Sequence, residues 1–218
     1  MVRLTEKPFF LSDDQISWVE NTVSEMTVEE KIGLIFCPIA GNPEDQALTE
    51  FVQKYQPGGM MFRPMPAKAI RQAHGVLQNE SKIPLLLAAN LEAGGNGICS
   101  DGTYYGRPMG VAATADEQEA YQLGYVSGRE AQAVGCNWAF SPIVDIDMNF
   151  KNPITNVRTF GSDVDQVIDF SRQQMKGLHE NGIATAVKHF PGDGVDERDQ
   201  HLVSTVNSLS VPEWDESY

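Results

Sequence analysis

Residues 188–201 gather the side-chain types that chemistry needs. Lys188 and His189 come first, a turn at Pro191-Gly192 follows, and a polar loop ends in Asp199-Gln200-His201. Just before them runs an apolar, partly β-branched stretch, residues 183–187, bounded by Gly182 and by Pro191-Gly192. A short apolar run between such breakers predicts a buried strand. Lys188 and His189 then emerge at that strand's C-terminal end. In an extended segment residues two apart point the same way, so the loop is expected to present Asp199 and His201 side by side. An imidazole titrates near neutral pH and a neighbouring carboxylate can fix its tautomer, so such a pair suits proton transfer. A solvated loop with an incidental ion pair would carry the same residues, and spacing alone does not separate the two.

The preceding chain must supply the elements that hold this loop. Ser12-Asp13-Asp14-Gln15 and Thr27-Val28-Glu29-Glu30 are capping-box patterns, each opening a helix. Residues 33–39 are expected to form a first strand. Asn42 is expected to cap a helix with Pro43 at its first position and a stripe of Ala47, Leu48, Phe51, Val52 and Tyr55. A short strand at 60–62 and a helix over 66–79, with Ile70, Ala73, His74 and Leu77 on one face, repeat the pattern. Residues 83–89 are the clearest strand in the first half. A Gly-rich loop (94–110), a helix (116–134) and a strand (137–144) follow. Ser162 is expected to cap a helix carrying Val164, Val167, Ile168, Met175 and Leu178, which stops at Asn181-Gly182. A fifth strand then leads to Lys188.

Strands alternating with helices imply βαβ units and a parallel sheet. The polar or Gly-rich segments 90–97, 145–158 and 188–201 all follow strand C-terminal ends. Open α/β sheets and (β/α)8 barrels both build their sites there. The chain of 218 residues is 41% hydrophobic, enough for one sizeable core, and no linker divides it. A net charge of -14 argues against nucleic-acid or anionic-membrane partners. Cys37, Cys99 and Cys136 include no Cys-x-x-Cys pair and read as reduced packing residues. Residues 1–7 lack the apolar core of a signal peptide and no run could span a bilayer, so the expected setting is cytoplasmic.

Over nearly its whole length the sequence resembles the N-terminal catalytic domain of glycoside hydrolase family 3. The marks are Asn152-Pro153, Asn156-Val157-Arg158-Thr159-Phe160-Gly161, and Lys188-His189-Phe190-Pro191-Gly192. A loop ending in Asp-x-His after that last motif looks like the β-N-acetylhexosaminidase branch. The resemblance implies an α/β fold of the (β/α)8 TIM-barrel type. It also implies a retaining two-step hydrolysis of terminal β-linked N-acetylglucosamine. By the same resemblance, His201 would be the general acid/base and Asp199 its orienting partner. Lys188, His189 and Arg158 would hold sugar hydroxyls, with Asn90 and Glu92 completing the substrate-binding set. From the residues themselves, Glu92 is expected to brace the Gly-rich turn rather than do chemistry.

Three departures from the family pattern stand out. Asp193 occupies the place of a His after Lys-His-Phe-Pro-Gly. Residues 90–95 read Asn-Leu-Glu-Ala-Gly-Gly in place of Asp-Gln-Glu-Gly-Gly, so Asn90 would bond a hydroxyl without a charge. The family's nucleophile, an Asp at the end of a later strand, would lie beyond Tyr218. Five strands are expected where a closed barrel has eight. The chain, residues 1–218, is therefore expected to be an incomplete barrel, with residues 211–218 beginning a further helix. Its open edges invite self-association, and alone it is expected to be inactive.

Other readings keep a place. Asp145, Asp147, Asp193, Asp196 and Asp199 could attract a hard cation, but their spacing is not that of a calcium loop, and no metal is expected. The glycines at 94–97 do not match a dinucleotide fingerprint, and no cofactor is expected. Phosphorolysis is open because a His in place of a carboxylate repels phosphate less. A non-catalytic sugar-binding module would keep Lys188, His189 and Arg158 without a nucleophile. His74 and His179, both on helices, are expected to be structural or exposed.

Overall fold

A computed structural model describes residues 2–217. Both capping boxes form: Ser12 opens α1 (Asp13–Glu25) and Thr27 opens α2 (Val28–Leu34). The helix driven by Thr27 runs through to Leu34, so the strand expected over 33–39 is not a continuous one. From Phe36 onward the chain instead lies beside β1 (Gly59–Met61). The Phe36 carbonyl accepts from Gly58 and Gly59, Met61 donates to Pro38, and Ala40 donates to Met61. Pro38 has no N–H, which limits this pairing to an isolated bridge at Ile39.

Helix α3 (Asp45–Tyr55) starts later than expected. Asn42 accepts from the Glu44 N–H at 3.0 Å, forming a turn that keeps Pro43 ahead of the helix instead of inside it. Helix α4 (Ala67–Glu80) buries the expected face, Ile70, Ala73, His74 and Leu77. It is followed by β2 (Leu86–Ala89). The Gly-rich loop contains a short helix, α5 (Pro108–Ala112), which no periodicity announced. Then come α6 (Glu117–Ala133), β3 (Trp138–Ala139), α7 (Val164–Glu180), β4 (Ala184–Thr185) and α8 (Val211–Ser217). The cap of α7 is Asp163, not Ser162, its carboxylate accepting from Gln166 at 2.8 Å. Tyr218, included in the expected last helix, lies outside the described residues.

The four strands are parallel and lie in the order β1-β2-β3-β4. Each strand is laid down beside the one before it, with no reversal of direction across the sheet. A doubly wound sheet would show such a switch point; a (β/α)8 barrel does not. The fold is thus the TIM-barrel type, represented by four strands and the paired segment after α2. Pairing continues past β3 and β4 through a bridge between Ile143 and Lys188, which ties the 143–147 segment to the start of the motif.

Two apolar clusters hold this frame. The larger packs β1, β2 and β3 against α3, α4 and α6 through Phe62, Ile70, Leu77, Leu87 and Leu91, among others. The smaller joins Val111, Leu123, Ile146, Phe160, Val167 and Phe170. Ile146 and Phe160 bracket the 147–158 loop, so the second cluster fixes both ends of a site segment to α5, α6 and α7. Helices α6 and α7 approach through glycine: a Cβ on Gly177 would sit 2.4 Å from the Tyr121 carbonyl. Ile32, Phe36 and Tyr55 at one side, and Ile168 and Phe190 at the other, remain exposed. The cysteines are free, and burial pushes the Cys136 thiol up to about 12. His74 is buried, its Nδ1 2.8 Å from the Val134 carbonyl; His179 is exposed.

Candidate active site

The C-terminal ends of β2 and β4 and the 3-10 turn at Asn156–Arg158 bring three of the expected residues, Asn90, Arg158 and Lys188, together around Glu92. Glu92 is 7% exposed, and both of its oxygens are engaged. Arg158 binds it two-pronged, Nε to Oε2 and Nη2 to Oε1, each at 2.9 Å. Lys188 Nζ lies 2.6 Å from Oε1 and donates to Asn90 Oδ1 at 2.9 Å. Arg107 approaches Oε2 at 3.7 Å. Burial raises the Glu92 carboxyl, but the hydrogen bonds and charges of Arg158 and Lys188 outweigh it and hold the group at about 2. Burial pushes the Lys188 ammonium down against the pull of Glu92, with Arg158 adding to the repulsion. The two partners shift alike because one carboxylate faces several cations, whereas Lys188 shares that single carboxylate.

Glu92 therefore pairs with Lys188 and Arg158 and meets the Gly-rich loop through Arg107. That loop is braced by Glu130 of α6, which accepts from the Thr103 N–H at 2.8 Å and from its hydroxyl. Gly95 packs onto the Glu130 side chain and Gly97 onto the Asn90 carbonyl, with no room for a Cβ at either. A cleft of about 230 Å³ opens beside Asn90 and Glu92, bounded by Arg63, Asn96 and Arg107.

His189 is held from beneath by Asp145, a carboxylate with no exposed surface. Asp145 Oδ2 lies 2.7 Å from His189 Nδ1 and accepts the His189 backbone N–H at 3.1 Å, while Oδ1 accepts the Asp193 N–H at 2.7 Å. A carboxylate accepts, so Nδ1 carries a proton and Nε2 is the nitrogen left for a ligand. Asp193, at the position where the family pattern has His, has its carboxyl pushed up by burial and by the Asp145 charge.

Asp199 and His201 do pair, at 2.7 Å between Oδ1 and Nδ1. The cause is not an extended strand. The same Oδ1 accepts the His201 backbone N–H at 2.8 Å, so a tight turn, an Asx turn, folds the carboxylate back onto the ring two residues on. Those bonds hold the Asp199 carboxyl below its usual range. His201 is 73% exposed in its side chain, with Asp199 as the hydrogen-bond partner of its Nδ1. The turn leaves its Nε2 as the nitrogen able to give and take a proton.

The loop carrying the pair is fastened by residues whose roles the sequence did not disclose. Asn149 donates to the Val195 carbonyl at 2.8 Å and Asn152 to those of Asp193 and Asp196. Gly194 lies flat on the Ile146 carbonyl, where a Cβ would come within 1.7 Å. Of the acidic residues weighed as cation ligands, Asp196 pairs with Arg198, Asp199 with His201 and Asp145 with His189, whereas Asp147 and Asp193 each keep one buried oxygen without a hydrogen-bond partner. Asn152-Pro153 stood out in the sequence, but only contact across the fold gives it a task.

Comparison with known proteins follows the same lines. A family model described as "Glycosyl hydrolase family 3 N terminal domain" matches residues 27–214. A beta-N-acetylglucosaminidase/beta-glucosidase of Cellulomonas fimi is 44% identical over 218 residues, covering 100% of this chain and 39% of that protein. Beta-hexosaminidase A of Pseudoalteromonas piscicida is 28% identical over 167 residues, 71% of this chain and 28% of that protein. Among solved structures, a beta-glucoside phosphorylase bound to 2FGlc superposes with a TM-score of 0.93 at 48% identity, covering 98% of this chain and 39% of its own. A beta-N-acetylglucosaminidase from Paenibacillus sp. str. FPU-7 superposes at 0.81 with 26% identity, over 87% of this chain and 38% of its own. This chain thus spans well under half the length of these relatives.

Proposed function

The chain belongs to glycosyl hydrolase family 3, as part of its N-terminal domain, and from that premise we propose that it carries the acid/base and much of the sugar-binding half of a retaining glycosidase. The substrate is a terminal β-linked N-acetylglucosamine. Lys188, His189 and Arg158 bind its hydroxyls, Asn90 adds an uncharged contact, and Glu92 keeps the two cations aimed. In the first step an Asp outside residues 1–218 attacks the anomeric carbon. The glycosidic C–O bond breaks, and His201 gives its Nε2 proton to the leaving oxygen. In the second step water attacks the same carbon, loses its proton to His201 and releases the Asp, so configuration is retained.

The observation that carries this reading is the Asx-turn pairing of Asp199 with His201 at 2.7 Å, one loop beyond a cation pair organised on Glu92. The complete protein should release N-acetylglucosamine from an aryl β-N-acetylglucosaminide with retention, read by NMR of the first-formed anomer. Inverted product, or no cleavage, would overturn it.

Phosphorolysis is the second reading. The catalytic acid is an imidazole, which lacks the charge by which a carboxylate would repel phosphate, and a phosphorylase is among the similar structures. Added phosphate diverting product to the sugar 1-phosphate would favour it. Free sugar at unchanged yield would favour hydrolysis.

A further inference from the structure

We propose that Asn152 is a positioning residue that sets the Asp199–His201 loop relative to the Arg158 turn, so that one buried amide ties the proton donor's loop to the turn that carries a sugar-binding cation. The proposal rests on the glycosidase reading and adds a residue to it.

Asn152 is 1% exposed, and all four hydrogen-bonding positions of its side chain are used. Its Oδ1 accepts the N–H groups of Ile154 and Thr155, both at 2.8 Å. These bonds shape the turn from which Arg158 departs. The Arg158 N–H donates to the Thr155 carbonyl at 2.8 Å, and its Nη1 donates to the Ile154 carbonyl at 2.9 Å. The rest of that guanidinium grips Glu92.

The Asn152 Nδ2 faces the other way, donating to the Asp193 carbonyl and, at 2.8 Å, to that of Asp196. Asp196 carries the restraint forward, since its carboxylate accepts the N–H groups of Arg198 and Val206. Asp199 and His201 thus lie inside a span closed at both ends by Asp196, which is itself tied to Asn152. The oxygen side of one amide organises the binding turn and the nitrogen side anchors the acid/base loop. With every polar atom so engaged, Asn152 has none left for substrate. It acts through His201 and Arg158.

Asn152→Asp separates the two halves. It keeps an oxygen for Ile154 and Thr155 but has no proton for the Asp193 and Asp196 carbonyls. In the complete protein, amide exchange over 193–206 should accelerate at least about tenfold while 154–158 keeps its protection. Misplacing an acid costs rate where protonation of the leaving group matters. The kcat/KM for an alkyl β-N-acetylglucosaminide should therefore fall about 10²-fold, and that for an activated aryl glycoside much less.

Should the buried carboxylate prevent folding, Asn152→Ala serves: exchange should then rise over both segments. Unchanged exchange over 193–206, or equal losses on the two glycosides, would overturn the proposal. If the unaltered protein cleaves neither glycoside, the glycosidase reading falls, and the exchange data still decide what Asn152 holds.

Discussion

At the scale of single residues, the site is built from charges that hold one another. The Asp199–His201 pair depends on a hydrogen bond from its own backbone, so its geometry is local and survives exposure. His201→Ala in the complete protein should slow both chemical steps. The first step should lose least with activated leaving groups, which need little protonation. Steady-state kinetics on aryl and alkyl glycosides checks this, and equal losses would count against His201 as the acid. Glu92 makes a different prediction. Its folded pKa, about 2, lies below the ordinary value of 4.5, so the folded state binds fewer protons than the unfolded one in that interval. The stabilisation is present above about 4.5 and is lost as pH falls toward 2. A displacement of that size corresponds to about 3 kcal/mol. Glu92→Gln should cost stability at neutral pH, and the difference from the unaltered protein should shrink as pH falls from about 4.5 toward 2. Urea denaturation of both proteins across that range measures it.

At the scale of elements, glycine decides how closely α6 and α7 approach. A Cβ at Gly124 would meet the Gln174 carbonyl at 2.0 Å, and one at Gly177 the Tyr121 carbonyl and the Tyr125 nitrogen at 2.4 Å. All three are backbone atoms, so a methyl group can be accepted only by moving a helix. Gly177→Ala should cost about 1–3 kcal/mol despite the better helix propensity of alanine. Gly75, in α4, has open space around its Cβ position. Gly75→Ala should therefore stabilise by about 0.5–1 kcal/mol. Thermal melts showing both substitutions moving Tm the same way would contradict this account. The same helix pair, through Val167, Phe170 and Leu123, fixes Ile146 and Phe160, and with them the loop that carries Asn152.

At the scale of the whole molecule, four parallel strands lie in consecutive order, where a closed barrel has eight. One edge exposes Ile32, Phe36 and Tyr55 around a largely apolar hollow, and the other exposes Ile168 and Phe190. Apolar surface of this kind is covered in stable proteins by further chain or by a partner. The 218-residue chain produced by itself should therefore self-associate at micromolar concentration despite its net charge of -14. Sedimentation velocity checks this, and a monomer that stays folded and dispersed would contradict it. Among the described residues, no helix is long and apolar enough to cross a membrane.

What could be read from the sequence is what local physics fixes. Capping boxes at Ser12 and Thr27, the buried face of α4 and the alternation of strands with helices each depend on neighbours a few residues away. The pairing of Asp199 with His201 was legible for the same reason, although a turn and not an extended backbone produces it. Ser162 and Asp163 both suit the cap of α7, and in the fold it is the Asp163 carboxylate that accepts the Gln166 N–H. Other facts required chain segments distant in sequence to meet. Glu92 became the seat of Arg158 and Lys188, Asp145 the support of His189, and Asn152 the tie between two loops, across separations of 41 to 96 residues. No spacing rule reaches that far. A buried carboxylate or amide takes its meaning from whichever donors the fold brings to it, and the tertiary structure alone decided which those were.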